Sequence, residues 1–343
     1  IMGIGNNLSA TPVAITVKGN VEVSASGRIA TGTAGARHTL NIHGNLTNNG
    51  EARFTNRTSA NYMSEATNGI TDVNFVSPDR NQAVICRGIT IFYRIGIDKG
   101  TNSTYVLDLD ASNQAYFNLY GYANENHSPA VSQLTVNNNA LGLVRGTVRI
   151  GNNINIPVLS SADVYCISAG AQLWVDRGSV QKNTNGTIAV YGSLKITDGL
   201  LEALTPGGIT FRNNGVLDVG GGVVNASQIR TSDVGALNYG GYLQTGGVVN
   251  VTGGAVNADY YVFSLPYPGS VFTMSGGVLT VNTASGTGGI LVNSNPENIK
   301  VTGGTVVAET NSSHDFLITS TAPFWNLTLK NSTTNQRLFP LGP

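Results

Sequence analysis

Along most of this chain, apolar side chains fall at every second position in short runs, and glycine pairs separate the runs. Thr245 to Ala258, TGGVVNVTGGAVNA, holds two copies of the phrase. It recurs as RGTVRI from Arg145, RGSVQK from Arg177, DGLLEA from Asp198, GGVVNA from Gly221, GGVLTV from Gly276 and GGTVVA from Gly303. The marker glycines are Gly146, Gly178, Gly199, Gly222, Gly247, Gly254, Gly277 and Gly304. Apart from the doublet, their spacing falls within the range of solenoid repeats. A period of two within each run predicts strands, and the longer period predicts one unit stacked many times. The second and fourth residues after the marker are expected inside: Val148 and Ile150, Leu201 and Ala203, Val224 and Ala226, Val249 and Val251, Leu279 and Val281, Val306 and Ala308. The arriving strands are expected to bury Leu173 and Val175, Leu217 and Val219, Phe272 and Met274, and Ile299 and Val301. The expected fold is all-β, an elongated right-handed parallel β-helix (β-solenoid) whose strands stack about 4.8 Å apart. At about 23 to 28 residues per coil it makes roughly 12 to 15 coils.

Before residue 130 the phrase changes form. Gly19-Asn20 and Gly44-Asn45, one period apart, each join two alternating strands. Glycine and asparagine tolerate positive φ best, so these corners read as backbone requirements. Residues 55–80 are less regular and predict a loop or a short helix-like excursion, and 123–130 predict a turn or inserted loop. The chain thus reads as irregular Gly-Asn-cornered coils over 1–130, continuous with regular Gly-Gly-cornered coils over 131–343. Gly247 and Gly254 stand too close in the chain to open separate coils. They predict two successive corners of one coil, with Val249 and Val251 on the short side between them.

Outward positions such as Leu200, Val223, Val248, Ala255 and Val278 are apolar, from plain β propensity or from a face that packs against a partner. Composition fits repeated turns around a buried core: 43 glycines, 41% apolar and 11% charged residues, with Lys+Arg and Asp+Glu at 19 each. Average domains carry about 25% charge. The balance offers no basic excess for nucleic acid, and no apolar run approaches the roughly 20 residues of a membrane span. The first residues lack the pattern of a signal peptide, which reads as a removed signal or an excerpt from a longer chain. Cys86 and Cys166, about three or four coils apart, read as buried free thiols.

Candidate chemistry is sparse. Asp108 and Asp110 share one strand face in VLDLDAS, the best pair for the two carboxylates of glycoside hydrolysis; the plainer reading is a solvated outer face. Gathering of Asp108, Asp110, Lys99 and Arg94 in a groove favours an enzyme, and dispersal favours a scaffold. His38, His43, His127 and His314 stand singly, without zinc-ligand spacing, and no cofactor motif is present. Tyr116, Tyr120 and Tyr122, with Tyr239 and Tyr242, are candidates for stacking on sugar rings. The sequons at Asn45, Asn250 and Asn326 read as Asn and Thr ladders along the stack.

QAVICRGITIFYRIGIDKG from Gln82 and PFWNLTLKNS from Pro323, with the Gly44-Asn45-Leu46-Thr47 corner and the corners at Gly276 and Gly303, resemble a repeat module of large bacterial cell-surface adhesins. Such proteins belong to the type nine secretion and gliding-motility kind. The resemblance implies an extracellular structural or adhesive protein or filament subunit at the bacterial surface, without catalytic activity. Its implied partners are like chains end to end, surface polysaccharide or other surface proteins. The alternative is a β-helical polysaccharide lyase or glycoside hydrolase.

Overall fold

A computed structural model describes residues 2–4, 11–32, 35–126, 136–182, 186–204, 207–212, 215–231, 247–258, 262–283, 289–310, 316–331 and 338–340. The described residues are all-β with almost no helix, and the strands stack in parallel as a β-solenoid. Its backbone forms two compact units: residues 1–127, 133–162 and 170–181, and residues 128–132, 163–169 and 182–343.

In the first unit, each turn contributes a strand to each of three parallel ladders. One ladder runs through Met2–Ile4, Arg28–Thr31, Glu51–Arg53, Thr90–Phe92 and Phe117–Leu119. The second runs through Ala14–Val17, Arg37–Ile42, Ile70–Phe75, Arg94–Asp98 and the start of Leu141–Ile150. The third runs through Val21–Val23, Leu46–Asn48, Gln82–Cys86, Val106–Ala111, the end of Leu141–Ile150 and Ala171–Val175.

The second unit repeats the plan. Ser193–Ile196, Val216–Val219, Val248–Val251 and Val271–Thr283 stack in register, as do Leu200–Ala203, Val223–Ala226 and Ala255–Ala258. Its third ladder runs from Val164–Ile167 through Thr187–Val190 and Ile209–Phe211 to Leu338–Pro340. The doublet is therefore two neighbouring sides of one turn, with Val248–Val251 between the corners at Gly247 and Gly254.

The alternation predicts the interior well. Val224, Ala226, Val249, Val251, Leu217 and Val219 have no exposed surface, so each strand buries every second side chain. Ile299 and Val301 are only half-buried. They sit where Ile299–Thr310 has left the last described partner on that side: the strand Asn326–Asn331 pairs only with Thr305 to Thr310. Aromatic rings meet from turn to turn in the first unit, Phe54 stacked on Phe92 at 5.3 Å and Phe92 tilted against Phe117 at 5.7 Å. The turns number about 11, fewer than the sequence period predicts, because insertions lengthen several of them. Asn41 and Asn74 stack although 33 residues apart, and Asp98 and Arg145 although 47 apart.

The corners differ in mechanism. Gly222, Gly254, Gly277 and Gly304 have φ of 67°, 68°, 72° and 90°, the left-handed conformation that glycine supplies without strain. Gly19, Asn20, Gly44 and Asn45 are not among the residues with positive φ, which corrects the backbone reason given for the Gly-Asn corners. Their asparagines act through the side chain: Asn20 Oδ1 accepts the N–H of Asn45 at 2.8 Å, and Asn45 Oδ1 accepts that of Ala83 at 2.9 Å. Gly44 serves close approach, since a Cβ there would lie 2.4 Å from both Asn20 Oδ1 and Gly19 O.

Candidate functional site

Of the span 55–80 predicted as a loop or short helix-like excursion, residues 56–69 form a loop while Ile70–Phe75 is a strand of the second ladder; the loop is held against residues 120–123, two turns on. Asn61 N–H donates to Tyr120 O at 3.2 Å and Ala123 N–H to Tyr62 O at 2.8 Å. Arg57 extends over the loop, donating to Asn61 O at 2.7 Å, Ser64 O at 2.5 Å and Tyr120 O at 3.0 Å. Two guanidinium groups lie over the buried Tyr93 ring, Arg37 at 5.3 Å and Arg57 at 5.1 Å, and the Tyr93 hydroxyl accepts the N–H of Ala66 at 2.7 Å. Arg37 is itself tied to Asp72 at 2.8 Å and to Glu65 at 2.5 Å.

This anchoring decides what the predicted tyrosines offer. Tyr116 ends a short 3-10 turn, Gln114–Tyr116, opened by Asn113, whose side chain accepts the N–H of Ala115. Tyr116, Tyr120 and Tyr122 are all half-buried, and the Tyr122 hydroxyl is used internally, donating to Asn124 O at 3.0 Å. Tyr62, which sequence reasoning missed, joins Tyr120; burial first, then the neighbouring Tyr120 ring, raises its phenol above the ordinary range. The strand-register argument had no purchase on Tyr62 because it lies in a loop. Tyr239 and Tyr242 lie outside the described residues.

The carboxylates are drawn into a different arrangement. Asp108, Arg149 and Trp174 occupy one register position on three successive strands. Arg149 donates to Asp108 Oδ2 at 2.8 Å and to Asp176 Oδ2 at 2.9 Å, and its guanidinium lies 5.1 Å over the Trp174 ring. One cation thus ties together outward positions of three turns. Burial raises the Asp108 carboxyl above its usual range, and the Arg149 charge opposes that rise. Asp110 shares the same outward face.

Lys99 and Arg94 do not join this pair. Lys99 is fully buried at a corner, donating to Arg80 O at 3.0 Å and Gln82 Oε1 at 2.5 Å. Burial lowers its pKa to about 8, against the pull of Asp79. Arg94 lies on the preceding face, donating to Asn74 Oδ1 at 3.0 Å and Asn137 O at 2.7 Å. The four groups are dispersed over two faces and a corner.

His38 is buried and accepts the N–H of Val13 through Nδ1 at 3.2 Å, and His43 meets Lys18 at 3.3 Å. His127 and His314 lie outside the described residues. Among the described residues no three His, Cys, Asp or Glu side chains gather as metal ligands, and no helix is long and apolar enough to cross a membrane. Cys86 and Cys166 are buried free thiols; burial pushes Cys86 up to about 12 and Cys166 higher still. The outer rows carry amide and hydroxyl ladders, with Asn257 donating to Asn225 Oδ1 at 2.9 Å and Thr273 to Asn250 Oδ1 at 2.7 Å.

No protein-family model, no curated protein and no solved structure matches this chain.

Proposed function

We propose that this chain is a structural and adhesive segment of an extracellular bacterial surface protein, a β-solenoid stalk or filament subunit of the type nine secretion and gliding-motility kind. The observation that carries this reading is how polar side chains are used. Arg149 links Asp108 to Asp176, Arg145 links to Asp98, Arg37 to Asp72 and Lys330 to Glu309, each across successive strands of a ladder. Charges arranged in this way bind turn to turn, where an active site would converge them on one cleft. Because each turn contacts chiefly its neighbours, stability accumulates with turn number and an applied tension is shared along the stack. Its partners are like chains end to end and surface glycans or other surface proteins. Among the described residues, the half-buried Tyr116, Tyr120 and Tyr122, joined by Tyr62, are candidates for sugar contact.

The second reading, a polysaccharide lyase or glycoside hydrolase, is favoured by one observation: Asp108 Oδ1 is buried without a hydrogen-bond partner. Incubating the purified chain with acidic and neutral polysaccharides tests both. The stalk reading expects no new reducing ends and no unsaturated uronate absorbance. Depolymerisation that is lost in Asp108→Asn would replace it with the enzyme.

A further inference from the structure

On the outward face of the second ladder in the first unit, Asn41, Asn74, Gly96 and Gly142 occupy one register row on four successive strands. Gly96 of this row lies in the lining of a depression of about 300 Å³, together with Asn74, Arg94, Asp98, Val136, Asn138 and Val144 among others. A Cβ at Gly96 would stand 2.2 Å from Asn74 Oδ1 and 2.9 Å from Arg94 Nη1; one at Gly142 would stand 2.4 Å from Asn137 O and 2.6 Å from Arg94 Nη2. Bare backbone at both positions is therefore what lets the Arg94 guanidinium lie across the sheet.

Asn138, in the lining, is held between two neighbouring asparagines. Asn137 and Asn139 are fully buried. Asn139 Oδ1 accepts the N–H of Glu125 at 3.0 Å, its Nδ2 donates to Glu125 O at 3.1 Å, and its N–H donates to Asn137 Oδ1 at 3.1 Å. At the rim, Asp98 is oriented by Arg145 through contacts of 2.6 and 2.9 Å.

We propose that this depression binds a neutral saccharide of one or two sugar units. The volume falls at the lower end of the roughly 300–1,000 Å³ of small-molecule sites. Val136, 50% exposed, and Val144 give apolar walls for the C–H faces of a sugar ring. The Asp98 carboxylate accepts from ring hydroxyls, and the Arg94 guanidinium and the amides of Asn74 and Asn138 supply donors. The lining holds one guanidinium and one carboxylate, so a fixed ligand charge of either sign gains little there. The site is separate from the tyrosine surface and independent of the stalk reading, which stands or falls on other measurements.

Saturation-transfer NMR on the whole purified chain tests the site, with glucose, galactose, mannose, N-acetylglucosamine and their disaccharides as probes and glucuronate and galacturonate alongside. Titrations then compare the parent with Val136→Arg, which places a long side chain in the depression from an exposed position, and with the near-isosteric Asp98→Asn. Thermal melts by circular dichroism report whether each variant is folded. The expected result is transfer to at least one neutral sugar, weakened tenfold or more in both variants while each still shows a cooperative melt. Absence of transfer to every neutral sugar, stronger binding of the uronates, or binding that survives folded Asp98→Asn would overturn the proposal.

Discussion

The side-chain oxygen of Asn20 accepts the backbone N–H of Asn45 at 2.8 Å, across 25 residues of sequence. Asn45 repeats the contact one turn on, to the N–H of Ala83 at 2.9 Å. The corner asparagine thus completes the hydrogen bonding that the strand ladder leaves open where the chain bends. A net hydrogen bond contributes about 1 kcal/mol, with a larger cost when a donor is left unsatisfied. Asn45→Ala is expected to destabilise the first unit by about 1–2 kcal/mol, and Asn45→Asp, which keeps the acceptor, by less. Chemical denaturation of the three proteins checks this order.

The Gly-Gly corners depend on backbone conformation instead. Gly254 has φ 68°, and a Cβ there would meet the Gly221 and Gly222 backbone at 2.6 Å. Gly19 has no atom within 4 Å of its Cβ position and no positive φ. Gly254→Ala is expected to cost about 1–3 kcal/mol or more, from left-handed strain with the backbone clash added. Gly19→Ala is expected to be neutral, and paired melting curves compare them directly.

How much of this was legible in the sequence depends on whether a feature repeats. Val224, Val249 and Val256 declare the interior because alternation is imposed at every turn, and the glycines mark corners for the same reason. The Gly-Asn corners were located but misread in cause: glycine and asparagine permit positive φ, yet here Asn20 and Asn45 act as acceptors for the following turn, a partner that only the stacked structure supplies. The loop was legible in its composition, but its anchoring through Tyr62 and the two guanidinium groups over Tyr93 were invisible because they occur once. Asp108 and Asp110 were legible as a shared face, whereas Arg149, well beyond them in the chain, could be placed beside Asp108 only once the turn lengths were known.

Arg149 is expected to matter more than an ordinary surface cation. It contacts Asp108, Asp176 and Trp174, and the Asp176 side chain is 14% exposed. Exposed ion pairs contribute about 0–1 kcal/mol, and hydrogen bonds to charged groups about 1.5–3. Arg149→Ala is expected to cost about 2 kcal/mol in urea denaturation. Arg149→Lys should recover only part of this, because an ammonium cannot reproduce the fork or the ring contact.

Buried Lys99 gives the stability a pH dependence. Its folded pKa is lowered to about 8, whereas an unfolded lysine titrates near about 10.4. Between these values the unfolded chain binds more protons, so the Lys99 contribution rises as pH increases through that window and is flat below it. Denaturation midpoints from pH 7 to 10 are expected to lose the part of this rise due to Lys99 in Lys99→Met. Lys182, also lowered to about 8 by burial, keeps the corresponding slope in the second unit.

The central claim is that each turn is held by its neighbours and that this stacking is what the protein provides. Pulling single molecules between their termini in optical tweezers tests it most directly. The account predicts extension in a series of events, each releasing about one turn, or roughly 70–165 Å at about 3.5 Å per residue for turns between 20 and 47 residues long. Extension of the whole chain in a single event would contradict it.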